Sequence, residues 1–327
     1  MSRLMPLLTL GVAALFLASL LIGPAPVGVW DSLSALILDD GTPMTLVMRE
    51  IRLPRALLAV IVGASLGMAG AAMQGYLRNP LAEPGLIGVS ASAALGAVIA
   101  LQTGLAAAFT LALPLTALGT ALLGVLLLLT LAGPRGASLT LILAGIAISA
   151  LAGALLSLVL NLSPNPFATS EIVFWMMGSL ADRSMTHVWL ALPLSVLGWL
   201  MLATLGRGLD ALTLGEDAAQ ALGIRLTRLR LTLVIATASV VGAATAVAGA
   251  IGFVGLVVPH ILRPLVGARP SRLLFASALG GAVLVLAADI AVRLILPDRD
   301  LKLGVVMALI GAPLFLHLIY KTRKEFA

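Results

Sequence analysis

The side chains able to do chemistry are few in this chain, and their types and spacing narrow what that chemistry is. Arg52-Leu53-Pro54-Arg55 sets two arginines three residues apart, and Arg293 follows Asp289 at i+4. On a helix that second spacing makes a local ion pair, a better account of Asp289 than a step in a proton relay. Glu216 and Asp217 form an adjacent pair of acids. His187, His260 and His317 stand apart from one another, with no second ligand nearby, so no metal site is expected. His260, just after Pro259, reads as a helix-end packing or capping residue. The absence of cysteine excludes disulfides, thiolate metal sites and cysteine nucleophiles. No G-x-x-x-x-G-K-[ST] loop is present to hold ATP, and no paired His, Asp or Ser constellation suggests an intramembrane enzyme.

The elements that must carry these residues are membrane helices. Of 327 residues, 61% are hydrophobic and 10% charged, and mean hydropathy is +1.14. A soluble domain is about 25% charged, so this chain cannot cover a water-facing surface. Phe109 to Ala132 and Leu139 to Phe167 carry no ionisable side chain. Each exceeds the roughly 20 residues that cross the hydrocarbon layer. About ten spans are expected, near 5–23, 56–75, 86–102, 106–132, 139–161, 187–206, 231–250, 253–267, 273–296 and 303–320. Arg3 and the apolar run that follows could pass for a signal peptide, but the run is long for one and is kept as the first span.

With the N-terminus inside, the loops expected in the cytoplasm hold Arg3, Arg78, Arg135, Arg207, Arg225, Arg228, Arg230, Arg263, Arg269, Arg272, Lys321, Arg323 and Lys324. The net charge of +6 therefore reads as helix orientation rather than nucleic-acid binding. The opposite side mixes Arg49, Arg52, Arg55, Arg183, Arg293, Arg299 and Lys302 with many acids. Arg52 and Arg55 are anomalous there, on the side where arginine is disfavoured.

Arg52-Leu53-Pro54-Arg55 and Arg225-Leu226-Thr227-Arg228 each open a Gly/Ala-rich stretch that continues into a Gly- and Pro-containing segment, Asn79 to Gly88 and Gly252 to Pro264. The first unit enters the membrane from outside and the second from inside, an inverted repeat with units of about 52–161 and 225–320 within one membrane domain, 1–327. Gly67 and Gly70, with Ala64 and Ala71, present one face of small residues suited to close helix packing. Between the repeats lies the longest cytoplasmic loop, 207–230. Within it Leu214-Gly215-Glu216-Asp217-Ala218-Ala219-Gln220-Ala221-Leu222-Gly223 reads as a short helix with acids in its first turn and a glycine stop. So short a helix is marginal in water unless it docks on another protein. With no acid expected at mid-membrane, ion-coupled secondary transport lacks its usual machinery.

Taken together, these segments resemble the permease subunits of ABC importers for cobalamin, ferric siderophores and haem. The likeness rests on Arg52-Leu53-Pro54-Arg55, Asn79-Pro80-Leu81-Ala82-Glu83-Pro84-Gly85, Leu143-Ala144-Gly145, Phe174-Trp175-Met176-Met177-Gly178, Leu214-Gly215-Glu216 and Gly252-Phe253-Val254-Gly255-Leu256-Val257-Val258-Pro259-His260, in that order. The resemblance implies an all-α, ten-helix subunit with both termini cytoplasmic in a bacterial inner membrane. It further implies a homodimer with two cytoplasmic ATPases, which bind ATP and Mg, and a periplasmic binding protein, this chain itself holding no cofactor. By the same likeness Leu214 to Gly223 is the coupling helix, and Arg52, Arg55 and Arg293 receive a carboxylate of the binding protein. Asn79, Pro80 and Leu81 belong to one cytoplasmic gate and Ser138 and Leu139 to a second, although Gly136-Ala137-Ser138-Leu139-Thr140 departs from the Ser/Thr-rich form. The cargo is an iron chelate or cobalamin, with a lean to iron. The alternative is an ion-coupled secondary transporter.

Overall fold

A computed structural model describes residues 3–23, 28–38, 41–109, 111–133, 138–163, 166–295 and 301–325, and among them no strand occurs. Gly136 and Ala137 of the second gate motif, Arg135, Arg299 and the acids Asp39, Asp40, Asp298 and Asp300 lie outside the described residues. In chain order the main helices are α1 (Leu4–Leu21), α2 (Val29–Ile37), α3 (Leu53–Leu77), α4 (Val89–Gln102), α5 (Ala112–Ala132), α6 (Ser138–Asn161) and α7 (Pro166–Met176). They continue with α8 (Met185–Thr204), α9 (Gly206–Leu212), α10 (Glu216–Ala221), α11 (Leu226–Ala248), α12 (Val254–Leu262), α13 (Pro270–Ile295) and α14 (Leu303–Glu325).

Seven helical runs among the described residues are long and apolar enough to cross a membrane: α1, the run Pro43–Leu77 that contains α3, α5, α6, α8, α11 and α13. Three of the ten expected spans differ from this. The stretch expected at 86–102 becomes the 14-residue α4, and that at 253–267 becomes the 9-residue α12 followed by one 3₁₀ turn, Pro264–Val266. At 1.5 Å per residue these reach about 21 Å and about 14 Å, short of a bilayer core. The third, expected at 303–320, lies within α14, whose apolar stretch is described over Leu303–His317. Hydropathy sums over a window, whereas continuity depends on single residues. Gly88 and Phe253, both left-handed (φ 76° and 67°), set where α4 and α12 begin. Such interruptions are tolerated at membrane depth where protein surrounds them, and Val254 to Pro259 are buried.

The core is organised on α3, around which α13, α11, α12, α8 and α1 pack. Small residues make that possible. A methyl added at Gly67 would run into the carbonyl of Ser277, one at Gly63 into that of Gly281, and one at Gly70 into that of Gly255. The backbones of α3 and α13 are thus in direct contact, as the small-residue face at Gly67 and Gly70 suggested. By contrast α5 and α6 leave Leu122, Leu123, Leu126, Leu143, Ile146 and Leu151 exposed, an apolar exterior fit for lipid or another membrane chain.

Just before α3 the chain makes a wide π-helical turn, Val47–Arg52, in which Leu53 N–H reaches back to Met48 C=O. Pro54 explains it: its ring has no N–H to give and crowds the carbonyl four residues earlier, so the preceding turn widens. The consequence is an altered phase for Arg52 relative to the rest of the run, turning that side chain inward.

Candidate functional site

At one end of the bundle Arg55 and Arg293 hold Asp289, whose side chain is fully buried, and Arg52 lies within electrostatic reach of Arg293. Arg55 Nε donates to Asp289 Oδ1 and Oδ2 at 2.9 and 3.1 Å, with Nη2 2.9 Å from Oδ1. Arg293 Nη2 lies 2.9 Å from Oδ2, the i,i+4 pair anticipated from spacing. The Arg55 contact was not anticipated. Nor was the second task of the cluster, which is to close α1. Arg293 Nη1 donates to the carbonyls of Ser19 and Ile22, both at 2.8 Å, and Nη2 to Ser19 Oγ at 2.6 Å. Arg52 Nη1 donates to Leu20 and Leu21 carbonyls at 2.9 and 3.1 Å. A methyl at Gly23 would lie 2.7 Å from the Arg52 guanidinium, so the glycine makes room for it. The last carbonyls of a helix are the negative end of its dipole and lack intrahelical donors. α1 has no basic residue in its own last turn; the two arginines arrive from distant segments. Arg52 is 4% exposed and the side chains of Arg293 and Arg55 7% and 17%, so Arg55 is the most accessible of the three.

Arginines on helix ends recur elsewhere. Arg230, 4% exposed, donates to the carbonyls of Ala132 and Gly133 at the end of α5. Arg183 Nε donates to Val247 C=O at the end of α11. Charge at these places reflects helix closure as well as topology.

At the opposite end α9 and α10 form the connection between α8 and α11. The structure shortens the expected helix Leu214–Gly223 to Glu216–Ala221: Leu214 and Gly215 form the turn into it, and Gly223 (φ 84°) ends it. Ala219 is buried and anchors it, while Leu214 and Leu222 are bare on either side. Asp210 of α9 accepts from Ser271 N–H (2.9 Å) and Oγ (2.7 Å), capping the first turn of α13. Arg78 in the left-handed region (φ 51°) ends α3, and Asn79 Oδ1 accepts Leu81 N–H at 2.9 Å in a tight turn that also sets Pro80. Ser138 opens α6, with Leu139 exposed beside it. Tyr76 sits beside Ser138 and within electrostatic reach of Arg230 and Glu216. Both gate candidates and the loop helix therefore gather at one end of the molecule.

Between the ends lies a residue that spacing did not single out. Glu83 Oε1 accepts Phe253 N–H at 2.8 Å, joining the break before α4 to the break before α12. It lines a cavity of about 150 Å³ with Leu66, Gly252 and Gly255. Burial pushes its carboxyl above the ordinary range, and the Phe253 N–H pulls the other way. The only signal in the sequence was its place in a Pro-rich loop. Among the described residues no group of three or more His, Cys, Asp or Glu is placed to hold a metal.

The model of the FecCD transport family matches residues 11–321. An uncharacterised ABC transporter permease protein, YvrB of Bacillus subtilis, is 40% identical over 293 residues, covering 88% of this chain and 82% of its own length. The vitamin B12 import system permease protein BtuC of Salmonella typhi is 42% identical over 277 residues, 84% of each chain. Among solved structures, a metal-chelate type ABC transporter in an inward-facing conformation superposes with TM-score 0.87 at 34% identity, covering 98% of this chain and 100% of that one. PsaBC of Streptococcus pneumoniae shares the fold at TM-score 0.55 and 16% identity, over 80% of this chain and 88% of that one.

Proposed function

The chain belongs to the FecCD transport family and is a multi-pass permease of an ABC importer; from that premise we propose that it moves a large metal chelate across the bacterial inner membrane as a homodimer. Two cytoplasmic ATPases drive it and a periplasmic protein delivers the cargo. Cobalamin is the first cargo to test, because the relatives whose names state a cargo are vitamin B12 permeases. Ferric siderophores and haem form the second group.

The observation that carries this function is the placement of α13. Its first turn is capped by Asp210, which leads into α10, and its last turns carry Asp289 and Arg293. One helix of 26 residues, about 39 Å long, thereby joins the loop helix to the arginine cluster. In this mechanism α10, with Leu214 and Leu222 bare on its flanks, seats in the ATPase, so that closure of two ATPases shifts α9 and the start of α13. At the other end a carboxylate of the delivery protein competes with Asp289 for Arg55, and Arg52 and Arg293 respond through the end of α1. Asn79, Pro80, Leu81, Ser138 and Leu139 form the barrier near α10. No ion needs to be coupled, since ATP supplies the driving force outside this chain.

Reconstitution with its ATPase and binding protein in liposomes tests this directly. ATP hydrolysis stimulated by the loaded binding protein is expected, and its absence would refute the function. Arg55→Gln, at the most accessible of the three arginines, is expected to weaken binding-protein docking while ATPase association persists. Mass spectrometry of the ligand carried by the cognate binding protein decides the cargo.

A further inference from the structure

Three arginines take no part in any of these contacts. Arg207, at the start of α9, and Arg225 and Arg228, at the start of α11, are exposed and make no side-chain hydrogen bond or ion pair within the described residues. All three line one cleft of about 700 Å³ between the end of α8 and the start of α11. The N-terminus of α11 opens there with no side-chain cap and no acid in its first turn, so free N–H groups and the positive end of the helix dipole add to the three guanidinium charges. An anion is wanted on every count.

Apart from Thr204 and Thr232, the side chains lining the rest of the cleft are apolar. Leu200, Met201, Leu205 and Leu229 form its floor. The track continues away from the arginines on the same helix faces. Leu197, 52% exposed, precedes Leu200 and Met201 at helical spacing on α8, and Ile235, 42% exposed, follows Arg228 and Thr232 at i+7 and i+3 on α11. Both α8 and α11 are membrane-spanning by length and composition. A charged mouth at the ends of two spans, continued by exposed apolar side chains on both, matches an amphiphile rather than a free ion or a soluble protein surface.

We propose that this cleft binds the phosphate headgroup of an anionic glycerophospholipid, with one acyl chain lying along Leu197 and Ile235 on α8 and α11. Bidentate guanidinium contacts suit a phosphodiester, and juxtamembrane arginines attract the anionic inner leaflet. Because Gly223 and Ile224, which follow α10, also line the cleft, the lipid sits directly behind the loop helix.

The test uses the full-length protein purified in detergent, with native mass spectrometry after adding phosphatidylglycerol or phosphatidylcholine. Retention of phosphatidylglycerol but not phosphatidylcholine is expected. The triple variant Arg207→Gln, Arg225→Gln, Arg228→Gln is expected to weaken phosphatidylglycerol retention about a hundredfold. The corresponding triple lysine variant, which keeps the charges, should retain most of it and serves as a folding control. Excess inorganic phosphate should leave the lipid bound. Equal retention of both lipids, unchanged retention in the glutamine variant, or displacement by phosphate each overturns the proposal. So does a glutamine variant that binds lipid normally but no longer co-purifies with the ATPase, which would make the trio a protein contact.

Discussion

Two groups of three arginines differ in almost everything except their number. Arg52, Arg55 and Arg293 are inside the protein, bound to Asp289 and to the carbonyls that end α1. Arg207, Arg225 and Arg228 are on the surface and make no such contact among the described residues. The first group shows what a membrane protein must do with a cation it buries: supply both a counter-charge and the acceptors that water would have given. In the second the cations stay at a face, where water itself supplies the acceptors. Residue type alone does not separate the two cases; the distinction lies in what the fold brings within 3 Å.

Removing the counter-charge should have the largest effect. Asp289→Asn leaves Arg55 and Arg293 buried without a carboxylate, a change of about 3–5 kcal/mol, to be read as a lower midpoint in thermal unfolding of the detergent-purified protein. Should the variant melt like the parent, the cluster would not be the structural unit described here. Next come the helix closures. Arg293→Gln at α1 and Arg230→Gln at α5 are expected to destabilise by similar amounts, about 2 kcal/mol each. If only the former does so, the face of the membrane matters more than engagement, and the comparison fails. Below these, the triple glutamine variant of Arg207, Arg225 and Arg228 should lie within about 0.5 kcal/mol of the parent in lipid-free detergent.

The smallest effect concerns pH. Glu83 has its carboxyl raised by burial above the ordinary value of 4.5, so the folded protein holds that proton more tightly than the unfolded chain. Its contribution to stability is full below the ordinary value and is lost as pH rises through the raised one. Glu83→Gln keeps an acceptor for the Phe253 N–H but cannot ionise. The fall in unfolding temperature between about pH 4 and about pH 8 should be shallower in the variant than in the parent. Parallel profiles would show that Glu83 ionises freely.

What could be read in the chain follows a simple division by distance along it. Membrane class, the long uncharged runs that became α5 and α6, the acid-led helix α10 and the Asp289–Arg293 pair are local, set by composition or by spacing within a turn or two. The contacts that define the arginine cluster are not: Arg52 reaches back 32 residues to Leu20, and Arg55 reaches forward 234 to Asp289. Glu83 finds Phe253 across 170 residues. α4 and α12 are shorter than the expected spans for a related reason. A hydropathy window registers apolar side chains but not the single left-handed residue that restarts a helix.

The contact between α3 and α13 bears on how such a molecule moves. Where carbonyl oxygens of one helix rest against the Cα atoms of another, no side chain lies between them to change rotamer, and neither helix can roll without losing the contact. This pair can move only as one rigid body. A shift at the start of α13 is then passed to α3 along the length of their contact. Amide exchange during turnover would be slowest along Gly63 to Gly70 and Ser277 to Gly281, the seam that keeps the two helices one body.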